Sequence, residues 1–264
     1  MLPLVDIYKE LKGKASCPPI TSKRVFEAKV EKSTIVKKVF FFGILIFLMI
    51  NGCGVYHPQT IDIPLIREKN DLRIDAGISV LPTVHATISY GLTNKLAIQV
   101  FGSIGSDEYY FQVAPGLYKE IGQQKVMEFY GGFGYGYGDV YKDANPGSMF
   151  GDYQLYFVQY NLGKYATSSE HIDYGFGIKT GYFHSNLTDE NYYNFYSYTG
   201  PYDIYKENSL LVEPIIFFRL GGERVKFRFN AGFSWIIKIS NPDNYIPASI
   251  FNMGFGINFT PKTK

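Results

Sequence analysis

From Asp71 to Phe259 apolar and polar residues alternate with period two in run after run, and few folds can use that pattern. The first run sets Leu72, Ile74, Ala76, Ile78 and Val80 against Arg73, Asp75, Gly77 and Ser79. Comparable runs follow at Thr83–Leu92, Lys95–Ile104, Glu108–Glu120, Lys125–Asp139, Gly151–Gly163 and His171–Phe183, then at Leu210–Leu220, Val225–Ile237 and Phe251–Phe259. No convincing helical stripe interrupts them. Most are longer than the ~5–6 residues of an ordinary globular strand and match the ~9–11 of a tilted membrane strand. One face is continuously apolar and rich in Tyr, Phe and Trp. The other is Gly, Asn, Ser, Gln and charge. A soluble barrel buries its apolar face, whereas a membrane barrel turns it outward and keeps the polar face inside.

Composition sharpens that choice. Aromatics make up 17% and charged residues only 19%, below the usual quarter. Disorder, charge-driven nucleic-acid binding and a disulfide scaffold are excluded, the last because Cys17 and Cys53 are the only cysteines. There is no metal-ligand spacing, and no cofactor is expected. The run Gly131–Gly138 has the look of a phosphate-binding loop but lies inside a strand with no helix after it.

The N-terminus reads as a targeting segment. Lys37-Lys38 precede the uncharged stretch Val39–Ile50, too short to span a bilayer as a helix, and Asn51-Gly52-Cys53 follows. The ending Ile50-Asn51-Gly52-Cys53 resembles a bacterial lipobox, whose cysteine becomes the acylated first residue of the mature chain. Residues 1–52 are therefore expected to be an extension plus signal that is removed, and 53–70 an acylated periplasmic arm. Residues 71–260 form the barrel and 261–264 a tail. Without residues 1–52 the chain carries 17 basic and 20 acidic residues, a net −3, and keeps 40 of its 46 aromatics.

The connections alternate as a membrane barrel requires. Thr93-Asn94, Gly122–Gln124 and Gly221–Glu223 are short, whereas Tyr141–Phe150, His184–Glu207 and Ser240–Ser249 are long. Pro82 makes one tight outer connection, and Lys164–Glu170 one longer inner one. The lipobox-like ending, the glycine ladder Gly131–Gly138, the aromatic run Phe251–Phe259 and this asymmetry together resemble the small outer-membrane β-barrel proteins of double-membraned bacteria, in a lipoprotein variant. The resemblance implies an all-β, single antiparallel up-and-down transmembrane barrel of about ten strands with a polar, filled lumen. It also implies outer-membrane lipid and the barrel-assembly machinery as partners, and both termini in the periplasm. That family usually ends on an aromatic residue, whereas Thr260–Lys264 follows Phe259 here.

The inward faces would gather Arg73, Lys179, Arg219, Lys226 and Arg228 with Asp75, Glu128, Asp173 and Glu213, five bases against four acids. In a narrow lumen these would pair, because an unpaired buried charge costs several kcal/mol. The expected function is thus a structural or surface-interaction role with the lumen occluded by ion pairs. The Tyr-rich connection, with Tyr192, Tyr193, Tyr196, Tyr198, Tyr202 and Tyr205, offers either a surface for an unknown ligand or a headgroup belt. Three alternatives stay open. One is a narrow channel. Another is a rim-site hydrolase using His85, or His184 with Ser185, although His184 falls in the outward phase. The third is a soluble lipocalin-like lipoprotein with the apolar faces inside.

Overall fold

A computed structural model of the chain describes residues 54–59, 61–142, 147–167, 171–189, 203–240, 246 and 248–261. These residues contain eleven strands and no helix. They are β1 (Leu72–Ser79), β2 (Val84–Gly91), β3 (Leu96–Ile104), β4 (Glu108–Glu120), β5 (Lys125–Lys142), β6 (Gly147–Lys164), β7 (Ile172–Asp189), β8 (Asp203–Gly221), β9 (Val225–Phe233), β10 (Trp235–Lys238) and β11 (Phe251–Phe259). Every pairing between them is antiparallel. Each strand pairs with its sequence neighbour from β1 to β9, and β11 joins β9 to β1, so the sheet closes on itself.

The ninth run is broken at Ser234, whose N–H and hydroxyl both donate to backbone carbonyls of the chain entering β11. The register against β8 nevertheless continues unchanged, with Gly232 opposite Ile215 and Trp235 opposite Val212. β9 and β10 are therefore one stave, and the barrel has ten staves, as the sequence pattern requires.

The pleat sorts side chains as expected. Ile78, Val84, Ile88, Phe129, Tyr156, Tyr174, Phe176, Ile216, Phe227 and Trp235 stand on the outside, well exposed. Arg73, Asp75, Glu128, Asp173, Lys179, Glu213, Arg219, Lys226 and Arg228 are all buried inside. The lipocalin-like alternative is thereby corrected, because the apolar face is the outer one.

Two connections are much shorter than their composition suggests. β5 and β6 run on until only 143–146 separate them, and β7 and β8 until only 190–202 do. β5 to β8 have 18 or 19 residues, whereas β1, β2, β3 and β11 have 8 or 9. At ~3.3 Å per residue the long strands overshoot a ~25 Å apolar band even when tilted, so these four staves project beyond it. The overshoot changes character on its outer surface. On β6 the outward positions Tyr156, Val158, Tyr160 and Leu162 give way to Gln154 and Asp152, and on β7 Tyr182 gives way to His184 and Asn186.

Candidate functional site

The chain ahead of β1 was expected outside the barrel. It lies within it. Val55, Tyr56, His57, Pro58, Gln59 and the whole of Ile61–Ile66 are buried, surrounded by the inner faces of the strands. Placing 53–70 as a periplasmic arm therefore needs correction for Val55–Gln59 and Ile61–Ile66, whereas Arg67–Asn70 are exposed.

A lone extended segment inside a barrel cannot join the ladder, so its backbone groups need side-chain partners. They have them, from around the wall. Glu213 Oε1 of β8 accepts the Gln59 N–H at 2.9 Å, and Glu128 Oε1 of β5 accepts the Ile66 N–H at 2.8 Å. Asn252 of β11 donates to the Pro58 carbonyl at 2.9 Å, and Asn230 of β9 to that of Ile61 at 3.1 Å. Gln99 of β3 donates to the Asp62 carbonyl at 2.9 Å, and Arg219 of β8 to that of Ile63. Pro58 and Pro64 bring no N–H that would need a partner.

Asp62 joins the charged network that the sequence placed in the lumen. Its Oδ1 takes the Arg219 Nη2 at 2.7 Å and its Oδ2 the Asn258 amide at 2.9 Å. Arg219 also reaches Asp173 at 3.4 Å, and Lys226 pairs with the same carboxylate. Arg228 binds Asp75 at 2.7 Å, and Lys179 binds Glu213 at 3.2 Å. Arg73 makes a two-pronged pair with Asp71 at 2.9 and 3.1 Å. Glu128 holds Asn161 at 3.1 Å in addition to the Ile66 N–H. All nine predicted lumen charges are engaged, and Asp62 and Asp71 are the acids that reasoning from the strands alone missed.

Above this layer the lumen holds an aromatic cluster. Tyr56 sits among Tyr153 and Phe183, with ring centroids 5.4 and 5.1 Å away, and Tyr110 stacks on Tyr153 at 5.9 Å. The Tyr56 hydroxyl donates to Glu213 at 3.3 Å, tying the cluster to the charges below. Lower down, Ile63 and Leu65 pack with Val126, Ile215 and Phe217. Leu65 is held at φ 54, unusual for a branched side chain, by that packing and by the anchored Ile66 N–H.

Glycines make the seat. A Cβ at Gly138 would stand 2.9 Å from the Val55 Cα, and one at Gly163 2.7 Å from Leu65 Cδ2. Gly138→Val is accordingly expected to displace the upper arm, seen as faster hydrogen exchange or proteolysis at 54–59 while the strands stay protected. Unchanged protection of the arm would contradict this packing.

The hydrolase candidates are not brought together. His184 lies on the outer face, its Nδ1 2.7 Å from Asn208 Oδ1, whereas Ser185 is buried on the inner face of the same strand. His85 is inside, its Nε2 2.6 Å from an Arg228 guanidinium nitrogen and its ring stacked on Phe101 at 6.1 Å. Tyr205 is a half-buried inward residue of β8 packed on the aromatic cluster, so its assignment to a loop is corrected. Tyr192, Tyr193, Tyr196, Tyr198, Tyr202 and Cys53 lie outside the described residues. Among the described residues no group of His, Cys, Asp and Glu could hold a metal ion.

A closed up-and-down barrel that is apolar outside and charged within is a β-barrel of the outer-membrane type. Comparison with known proteins adds little to that class. No family model and no curated protein matches the chain. Among solved structures it is similar to the N-terminal β-barrel domain of Pseudomonas aeruginosa OprF, at 12% identity and a TM-score of 0.30, over 73% of this chain and 98% of that one. The class rests on the strand pairing and the sorting of side chains, not on that match.

Proposed function

We propose that the chain is an outer-membrane lipoprotein, acylated at Cys53, with a structural or surface-interaction role and a lumen closed to solutes. The single observation that carries the reading is the arm. From Val55 to Ile66 every described residue is buried, and its backbone and Asp62 take the polar groups that would otherwise line a water-filled path. A porin keeps such groups hydrated and free to meet solute. Here they are spent on the protein itself.

Support for a surface role comes from the four tall staves. β5 to β8 extend beyond the apolar band, and the outer surface there carries Asp152, Gln154, His184, Asn186 and Asn208. Tyr135 and Tyr182 donate to Asp152 and Asn208 at 2.6 and 2.5 Å, which marks the change from lipid-facing to water-facing wall. The reading includes no catalytic step and no cofactor.

Purified full-length protein reconstituted in planar bilayers tests the closed lumen. No steady conductance is expected. A stable, large conductance in most insertions would instead mean that the arm leaves the lumen in a membrane, and the channel alternative would take over.

A further inference from the structure

The direction of the arm carries a consequence for topology. At its downstream end Asn70, at φ 67, donates its N–H to the Gly91 carbonyl at 2.8 Å, and the chain reverses there into β1. Gly91 ends β2 beside the 92–95 turn, so this is the end of the barrel that also carries the 121–124 and 222–224 turns. Further up, Ile66 meets Glu128, and Asp62 meets Arg219. His57 pairs with Glu108, the first residue of β4, at 2.8 Å, and Gly138 opposite Glu108 receives Val55. At the top Tyr56 bridges Ala248 in parallel and accepts the Ser249 N–H at 2.8 Å, with Gly54 against the same two residues.

The arm therefore crosses from one rim to the other. From Gly54 to Ile66 its thirteen residues, at ~3.3–3.6 Å each, can reach more than 40 Å, enough for an apolar band of ~25 Å. Short turns mark the periplasmic rim of such barrels and long connections the outer one.

We infer that the mature N-terminus is threaded through its own barrel and emerges at the outer, long-connection rim, so that an anchor on Cys53 enters the outer leaflet. This rests on the reading of the chain as an acylated outer-membrane barrel, and it replaces the expectation that both ends lie in the periplasm. The local surface suits it. Gly54 touches Ala248 and Ser249, immediately before the exposed Ile250 and the first β11 residue, Phe251, and Ile239 and Trp235 are exposed on the same low side of the wall. Acyl chains carried next to Gly54 would meet lipid beside Ile250 without climbing the tall wall.

Short epitope insertions in the full chain test this. One is placed between Gly54 and Val55, one within 190–202 and one at Gly222-Glu223, and each variant is first checked for a fast-migrating unboiled band. Antibody on intact cells is expected to detect the first two, and the third only after permeabilisation. If the 190–202 epitope is exposed and the Gly54 epitope is not, the inference falls and the barrel reading stands. If the 190–202 epitope is also hidden and no fast band forms, both fall.

Discussion

Arg219→Leu is expected to lower the midpoint of the heat-induced mobility shift more than the loss of any other single lumen side chain. The guanidinium is fully buried. It donates to Asp62 through Nη2 at 2.7 Å and through Nε at 3.2 Å, to the Ile63 carbonyl, and to Asp173 at 3.4 Å, and it lies 4.7 Å over the Phe217 ring. Leucine fills some of that volume and replaces none of the bonds. Asp173 keeps Lys226, but Asp62 keeps only Asn258 of the partners described. Breaking a buried pair from one side costs ~3–5 kcal/mol, chiefly through the charge left behind. The double variant Arg219→Leu with Asp62→Leu should therefore recover part of the loss. Costs that simply add would mean that the two side chains are not coupled and that the arm is not seated on Arg219.

A barrel of this kind gains its arm only if strands and arm assemble together. Six side chains on five strands hold the backbone of Pro58–Ile66, and the charged contacts are fully enclosed. Threading a finished, closed wall would require breaking most of them and drawing buried charges past an aromatic layer. The wall closing around the arm needs neither step. The same consideration explains why the lumen pairs are so specific. Arg73 finds its acid at the arm's foot in Asp71 and Arg219 shares Asp62 of the arm, whereas Lys179, Lys226 and Arg228 find theirs on other strands.

Wall and lumen were legible in the sequence to different degrees. Period-two alternation locates every stave and gives the phase of most, Gly151–Gly163 being ambiguous, because lipid on one side and protein on the other impose opposite demands on adjacent residues. It fails where both sides are apolar. Leu210-Leu211-Val212 and Ile215–Phe218 have no alternation to read, since Leu211, Ile215 and Phe217 meet the arm's surroundings inside while Leu210, Ile216 and Phe218 face outward. Strand ends were misplaced for a related reason. Above the apolar band the outer face turns polar at Asp152 and His184, yet the ladder continues, because hydrogen bonding needs no lipid. The arm left one trace. Five bases and four acids on the inward faces leave one base unmatched, and Asp62 is close by in the sequence, between Ile61 and Ile63. Two prolines in that stretch argue against a ladder strand and so directed attention away from it.

Phe229→Arg is expected to reduce assembled protein sharply, and the effect should depend on depth. Phe229 lies midway along β9, between Phe218 of β8 and Phe255 of β11, its ring centroid 5.5 Å from that of Phe255. Phe227 and Phe233 lie on the same outward face, Phe227 toward the turn rim and Phe233 toward the long-connection rim. An arginine facing lipid costs ~2–4 kcal/mol at the bilayer midplane and ~0–1 near its surfaces. Because the stave continues through β10 to Lys238, the order expected is Phe229→Arg and Phe233→Arg worst, with Phe227→Arg, nearest the turn rim, milder, and no loss for His184→Arg, which lies above the apolar band. Fractionation and the unboiled gel band read this out together. If all three phenylalanine variants instead gave soluble, unfolded protein with no dependence on position, the apolar face would be a core and not a lipid surface. A soluble barrel has no midplane, so a maximum in the middle of the stave distinguishes the two environments in a way that a single substitution cannot.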